Sequence, residues 1–418
     1  MRLACILFFL SAIGCESIWS TSLVPNPERC EVSLAQCPAG LVCDSRSGRC
    51  ASPINSQTAG SRCGTPWRTG SAAASFANHM IPVASGQGGD LVSISLGDFD
   101  GDGQLDLGAV SANTTLWSLR GGGDGQFSPL GMSSAGSSPR MLRLLDFDGD
   151  QRADYVISNR SAKEIRCTLS AADGQLGTTA IGSLGGLPGQ FVVADFDRDG
   201  ALDVVTTQQG ASDLAVLTGN GKGGLSTGQN VLNTRPATVL ATGDFNEDGA
   251  PDLASINTGA GEVQVYINKG SPTFQRQDLA LSAELYAYWV TVGDFDCDSH
   301  MDLAVGTTGR NRILVLYGDG QGRFPGTVSV NLSAEPREIQ AADLDGDGQP
   351  DIAYYDQYGD VFTLQAAANR TFPTAPQAIA GPTATASLQV ADVNLDGRAD
   401  LVMAHQYLSV MTLVNTTP

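Results

Sequence analysis

Carboxylates set at alternate positions of a short loop repel one another unless a cation lies between them. This chain of 418 residues builds such a loop seven times, beginning at positions 98, 146, 195, 244, 294, 343 and 392. The first copy places Asp98, Asp100, Asp102 and Asp106 at positions 1, 3, 5 and 9. The next three carry Asp146, Asp148, Asp150 and Asp154; Asp195, Asp197, Asp199 and Asp203; and Asp244, Asn246, Asp248 and Asp252. The last three carry Asp294, Asp296, Asp298 and Asp302; Asp343, Asp345, Asp347 and Asp351; and Asp392, Asn394, Asp396 and Asp400. Hard carboxylate oxygens, completed by a backbone carbonyl, suit a hard divalent ion, and Ca²⁺ accepts six to eight such ligands more readily than Mg²⁺. The carbonyl expected to contribute is that of position 7, occupied by Gln104, Arg152, Ala201, Ala250, His300, Gln349 and Arg398. About seven structural Ca²⁺ are therefore expected. Asn246 and Asn394, the only replacements, keep an oxygen able to bind the ion.

Position 6 is Gly in five copies, where the chain turns sharply, but Gln151 and Ser299 in the other two, which predicts strain there. The loop is no EF-hand, whose twelve residues end in Glu between amphipathic helices. Here a strand-like apolar run follows position 9, as in the residues after Asp106 and Asp302.

The formal net charge is −20, and 26 of the 44 Asp and Glu are loop Asp residues. Seven divalent ions would bring −20 to −6, so most of the acidity is site chemistry. With 24 Lys and Arg and no basic run, nucleic-acid binding is excluded as an expectation.

A single Arg2 followed by a short apolar run ending in small residues before Cys15 has the shape of a secretory signal. Residues 12–15 resemble a lipobox, which would leave a lipid-bearing Cys15, so the expected location is the cell envelope or the exterior. Any membrane contact would pass through that anchor. The expected organisation is a signal over 1–14, a tether over 15–29, a Cys-rich segment over 30–50, a linker over 51–73 and a repeat domain over 74–418. Cys30, Cys37, Cys43 and Cys50 read as a two-disulfide knot with open connectivity. Cys63, Cys167 and Cys297 remain an odd set.

The elements that must carry the loops follow from their spacing. Successive loops start 48 to 50 residues apart, and between them lie short apolar strands, a polar turn and a Gly-rich turn with an apolar slot residue. Four strands per unit without helical periodicity predict an all-β, seven-bladed β-propeller preceded by a small disulfide-rich segment. The last unit lacks its slot residue, while Phe76 fills a slot with no loop before it. The segment around 74–83 is therefore expected to form the outer strand of the last blade.

The Asp98–Asp106 type of loop with its trailing Gly-rich turn resembles the FG-GAP/VCBS repeats, related to the calcium-bearing propeller of integrin α-subunits, here of bacterial exported type. That resemblance implies extracellular recognition or adhesion, with a protein or glycan ligand outside the cell. A lectin is the alternative, with Trp117, Trp289, Tyr354, Tyr355 and Tyr358 as sugar-stacking candidates, and a polysaccharide lyase is the more distant one. No enzyme is expected. His79, His300 and His405 are scattered, and Ser226 between Gly224 and Gly228 mimics a nucleophile elbow with no helix behind it.

Overall fold

Sequence alternation and the 49-residue period resolve into seven four-stranded antiparallel sheets. The computed structural model describes residues 74–417 except 84–88, 210–213, 232–235, 259, 271–272, 280–285, 368–369, 373–374, 380–383 and 406–408. It also describes the strands Val42–Asp44 and Arg49–Ala51. The signal, the tether, the linker beyond Ala51, Cys15, Cys30 and Cys37 lie outside the described residues. The two short strands pair antiparallel with Cys43 opposite Cys50.

Blade one shows how each unit is laid down. Its innermost strand, Leu91–Gly97, enters the acidic loop, and Asp106–Ser111 leaves it; Thr115–Gly121 and Phe127–Ser134 follow outward. The second strands are buried along their whole length in blades one, two and four, because both faces are covered by neighbouring blades. Hence they read as continuous apolar runs, whereas the outermost Phe127–Ser134 is largely exposed. Seven hydrophobic clusters result, one in each seam between adjacent blades.

The loops are riveted into these seams by position 2. Phe99, Phe147, Phe196, Phe245, Phe295, Leu344 and Val393 are all at most 2% exposed. Three of them meet the slot aromatic of the following blade: Phe196 with Phe274 at 6.1 Å, Phe245 with Phe324 at 5.7 Å and Phe295 with Phe372 at 6.4 Å between centroids. The Gly-rich turn and the acidic loop are thus two halves of one inter-blade contact.

The ring closes on the N-terminal side of the repeats. Phe76–Pro82 pairs with Ser409–Asn415 as the outermost strand of blade seven, Phe76 opposite Asn415 and Pro82 opposite Ser409. Thr416 N donates to Ser75 O and Ser75 N to Thr417 Oγ1, so both chain segments are clasped and an open sheet edge is removed.

Candidate metal centres and an axial funnel

In each loop the backbone is wound around its own carboxylates. The position 1 Asp accepts the N–H of position 6 on Oδ2 at 2.7–3.0 Å in all seven copies. Position 3 accepts the N–H of position 5 at 3.1–3.2 Å, and position 5 accepts that of position 7 at 2.8–2.9 Å. These short Asx-type bonds hold the side chains on the inner side of the turn.

Winding this tight needs two left-handed residues. Position 6 has φ between 73° and 91° in every copy, including Gln151 and Ser299 at 73° and 76°. Position 4 is left-handed as well, even where it is Arg198, Glu247, Cys297 or Leu395, a requirement the sequence reading missed although Gly101, Gly149 and Gly346 hinted at it. A side chain in this region costs on the order of 1–2 kcal/mol, partly offset by the entropy that Gly loses on folding. Gln151→Gly and Ser299→Gly are each expected to stabilise the chain by roughly 0.5–1 kcal/mol. Urea midpoints with unchanged slope test this, and a lower midpoint would mean that the side chain makes contacts worth more than the strain.

Position 9 differs from the rest. Asp106, Asp154, Asp203, Asp252, Asp302, Asp351 and Asp400 are completely buried. Each accepts the position 2 N–H on Oδ2 at 2.8–3.0 Å. On Oδ1 each accepts an N–H at or just after the end of the third strand at 2.7–2.9 Å. One carboxylate therefore staples the loop to two strands of its own blade.

Burial dominates the electrostatics. It pushes the Asp106, Asp154, Asp252 and Asp400 carboxyls up to about 7, Asp203 to about 6 and Asp302 to about 8, against the backbone hydrogen bonds that pull them down. Asp351 lies well above the usual range for the same reason. Asp98, Asp146, Asp195, Asp244 and Asp294 are raised too, by burial first and by neighbouring loop carboxylates in addition. Five loops bring three carboxylate oxygens within 4.8 Å of one another: Asp98/Asp100/Asp106, Asp146/Asp148/Asp154, Asp195/Asp197/Asp199, Asp294/Asp296/Asp302 and Asp343/Asp345/Asp347. In the other two, Asn246 Nδ2 and Asn394 Nδ2 donate to Asp248 and Asp396, so a hydrogen bond stands where a third charge would be. This donor set fits a hard divalent cation.

Arginines partly balance these charges. Arg120 Nε lies 2.5 Å from Asp100 Oδ2 and Arg370 Nε 2.5 Å from Asp296 Oδ2, both out of hydrogen-bond alignment, and Arg152 pairs with Asp150. Neighbouring loops are also tied: Arg198 reaches Asp248 at 2.9 Å, and Glu247 meets the His300 ring at 2.6 Å, so that ring has a structural use besides the carbonyl at position 7. Cys297 is disulfide-bonded. Cys167 is a buried free thiol in the seam of blades two and three.

A model of the FG-GAP-like repeat matches residues 98–157, 146–206, 195–255, 244–305 and 298–354, together more than half of the chain. The chain belongs to the FG-GAP-like repeat family. Among solved structures it is similar to a lectin of Agrocybe aegerita described for specific recognition of non-reducing terminal N-acetylglucosamine. The identity there is 17%, with 79% of this chain and 86% of the other covered and a TM-score of 0.53. It is also similar to BBS1N in complex with ARL6DN, at 11% identity, 82% and 97% coverage and a TM-score of 0.57. At these identities the likeness is one of fold. No curated protein matches the chain at the sequence level.

The FG-GAP-like ring has a second feature, on the face away from the acidic loops. The innermost strands of six blades carry a register shift near their start, at Val92, Arg140, Gly189, Tyr288, Arg337 and Ala386. A bulge lets consecutive side chains share one face of a strand. Here the shifted residues and their successors line a funnel of about 940 Å³, although Val92, Met141 and Trp289 also pack into the seams. Arg143, Gln190 and Trp289 line its narrow end, which continues into a cavity of about 50 Å³. Of the aromatics singled out in the sequence, Trp289, Tyr355 and Tyr358 line this funnel, while Trp117 and Tyr354 are 2% and 1% exposed and belong to the seams. Arg140, Arg143, Arg160, Arg337, Tyr288 and Glu338 had no signal in the repeat pattern.

Proposed function

We propose that this FG-GAP-like propeller is an exported calcium-binding module for recognition or adhesion, with one structural Ca²⁺ in each of its seven acidic loops. The observation that carries the calcium reading is the convergence of three carboxylate oxygens in each of five loops and the same winding in all seven. Bound Ca²⁺ would supply positive charge that these oxygens otherwise lack. The chain's own residues do the rest. Position 2 anchors the loop in the seam, positions 1, 3 and 5 orient their oxygens through backbone N–H groups, and position 9 links entering and leaving strands. Export, with Cys15 as the lipid-bearing residue, is supported by the N-terminal residue pattern and would place the loops where calcium is plentiful, so sites with Kd near 10⁻⁴–10⁻³ M would be filled.

A rigid ring built this way is a platform for a ligand rather than for chemistry. Among the described residues, His79 lies on the outermost strand and His405 on the second strand of blade seven, with His300 in loop five. The Ser226 hydroxyl accepts the Thr218 N–H at 2.8 Å, which makes it a turn residue. Carbohydrate binding is the second reading, favoured by the funnel aromatics Trp289, Tyr355 and Tyr358. Probing glycan and extracellular-protein arrays with the calcium-loaded chain tests both readings. Saturable binding to glycans supports the lectin, saturable binding to protein alone supports the adhesin, and binding to neither would remove the recognition reading.

A further inference from the structure

In a chain of net charge −20, the axial funnel gathers four arginines against two acids. Arg337 is already engaged, stacked over Tyr288 at 4.7 Å and 3.6 Å from Glu335. Arg140 and Arg160 have no acidic partner among the described residues, and Arg143, at the narrow end, gives one N–H to the Leu142 carbonyl at 3.0 Å. Arg143 is half-buried at the funnel's narrow end, and burial pushes its guanidinium down to about 10, partly offset by the charge of Glu338. Of the two acids, Glu338 is spoken for by Gln340 Nε2 and Leu388 N at 3.1 Å each, and burial pushes its carboxyl up to about 7. Asp356 accepts the Tyr358 and Asp360 N–H groups at 2.8 and 3.1 Å.

We propose that this funnel binds an acidic saccharide, its carboxylate received by Arg143 with Arg140 and Arg160 nearer the mouth, and a sugar ring laid against Trp289. The inference rests on the reading of the chain as a recognition module and names its ligand class. A guanidinium fork matches a carboxylate with two parallel hydrogen bonds. The remaining wall is what a sugar needs: the half-buried Trp289 indole, the exposed Tyr358, and the uncharged polar groups of Gln190, Ser93 and Thr207. A doubly charged phosphate group fits less well, since Glu338 and Asp356 face the same space. The volume is that of a ligand pocket of ordinary size.

The test uses the full chain loaded with calcium and two disaccharides that differ only in the acid, glucuronyl-β-1,4-glucose and cellobiose, with a Glu-rich hexapeptide as third probe. Calorimetry and Trp fluorescence are the readouts. The acidic disaccharide is expected to bind at least tenfold more tightly than cellobiose. Arg143→Gln should erase that preference. Arg140→Gln, on an exposed rim position, should weaken the acidic sugar several-fold with the unfolding midpoint unchanged, which keeps the test valid if the Arg143 variant fails to fold. Equal affinity for the two sugars would overturn the acidic inference while leaving a lectin standing. Preference that survives both Arg substitutions would place the site elsewhere, and binding of the peptide alone would replace the saccharide with an acidic protein segment. If no probe binds, the inference falls, and the array result decides separately whether the recognition reading falls with it.

Discussion

Chelation of calcium from the purified chain is expected to lower its thermal unfolding midpoint by ~10–20 °C, and elemental analysis of the calcium-loaded chain is expected to find about seven Ca²⁺. The magnitude follows from mass action. At free calcium ten times Kd, each site that binds only the folded state contributes about 1.4 kcal/mol, and seven such sites roughly 10 kcal/mol. That is comparable to the whole stability of an ordinary domain. Spread over the unfolding entropy of a propeller of this size, it gives the shift stated. The structure says why the effect should be global. Each loop joins the innermost and second strands, and its position 2 residue sits in the seam with the next blade, so a loosened loop opens both a hairpin and an inter-blade contact. The Asn246 and Asn394 loops, with one charge fewer, are expected to release calcium first in a chelator titration. A midpoint that does not move, with few ions bound, would sink the calcium assignment and leave the loops as Asx-wound turns.

How much of this could be read from residues alone is clear from where the reading stopped. The blade count, the strand order within a blade and the closing segment around Phe76 were legible because every blade repeats them, and seven copies of one pattern leave few alternatives. The double use of the position 9 carboxylates was not legible. Their ligand-like spacing is the same whether or not both oxygens are taken by N–H groups from Phe295 and Gly318, as in Asp302. The funnel was invisible for the opposite reason. The positions equivalent to Arg143 in the other blades are Ser95, Val192, Ala241, Thr291, Gln340 and Gln389, so nothing recurs at the level of its narrow end. Repetition reports what all blades share, which is the scaffold. A unique site on the axis is made from the positions where the blades differ, and only the closed ring brings them together. The aromatics failed individually on the same ground: Trp117 and Tyr355 look alike in sequence, but Trp117 is sealed inside a seam whereas Tyr355, packed at the edge of its seam, also lines the funnel.

The sign of the pH dependence is expected to reverse with calcium. Without the ion, burial raises six of the buried position 9 carboxyls to about 6 to 8 and Asp351 well above the usual range, whereas unfolded Asp titrates near ~3.9. Between those limits the folded chain binds more protons than the unfolded one, so its stability is fully present below the unfolded pKa and is lost as pH rises through the folded values. The exposed His300, raised chiefly by its hydrogen bond to Glu247, acts in the same direction but weakly. In chelator the unfolding midpoint should therefore climb as pH is lowered from 7.5 to 5.5. With millimolar calcium the ionised carboxylates are the ligands, protons compete with the metal, and acidification over the same range should lower the midpoint. Two melting series at four pH values, one in chelator and one in calcium, decide the matter. Curves of the same slope in both would mean that the buried carboxyls and the metal sites are not the same groups, and the role assigned to position 9 would have to be given up. Opposite slopes would show that the loops are built for a positive charge and accept a proton only when no metal is offered. Folding would then be coupled to the calcium level of the compartment through seven equivalent contacts rather than through one regulatory site.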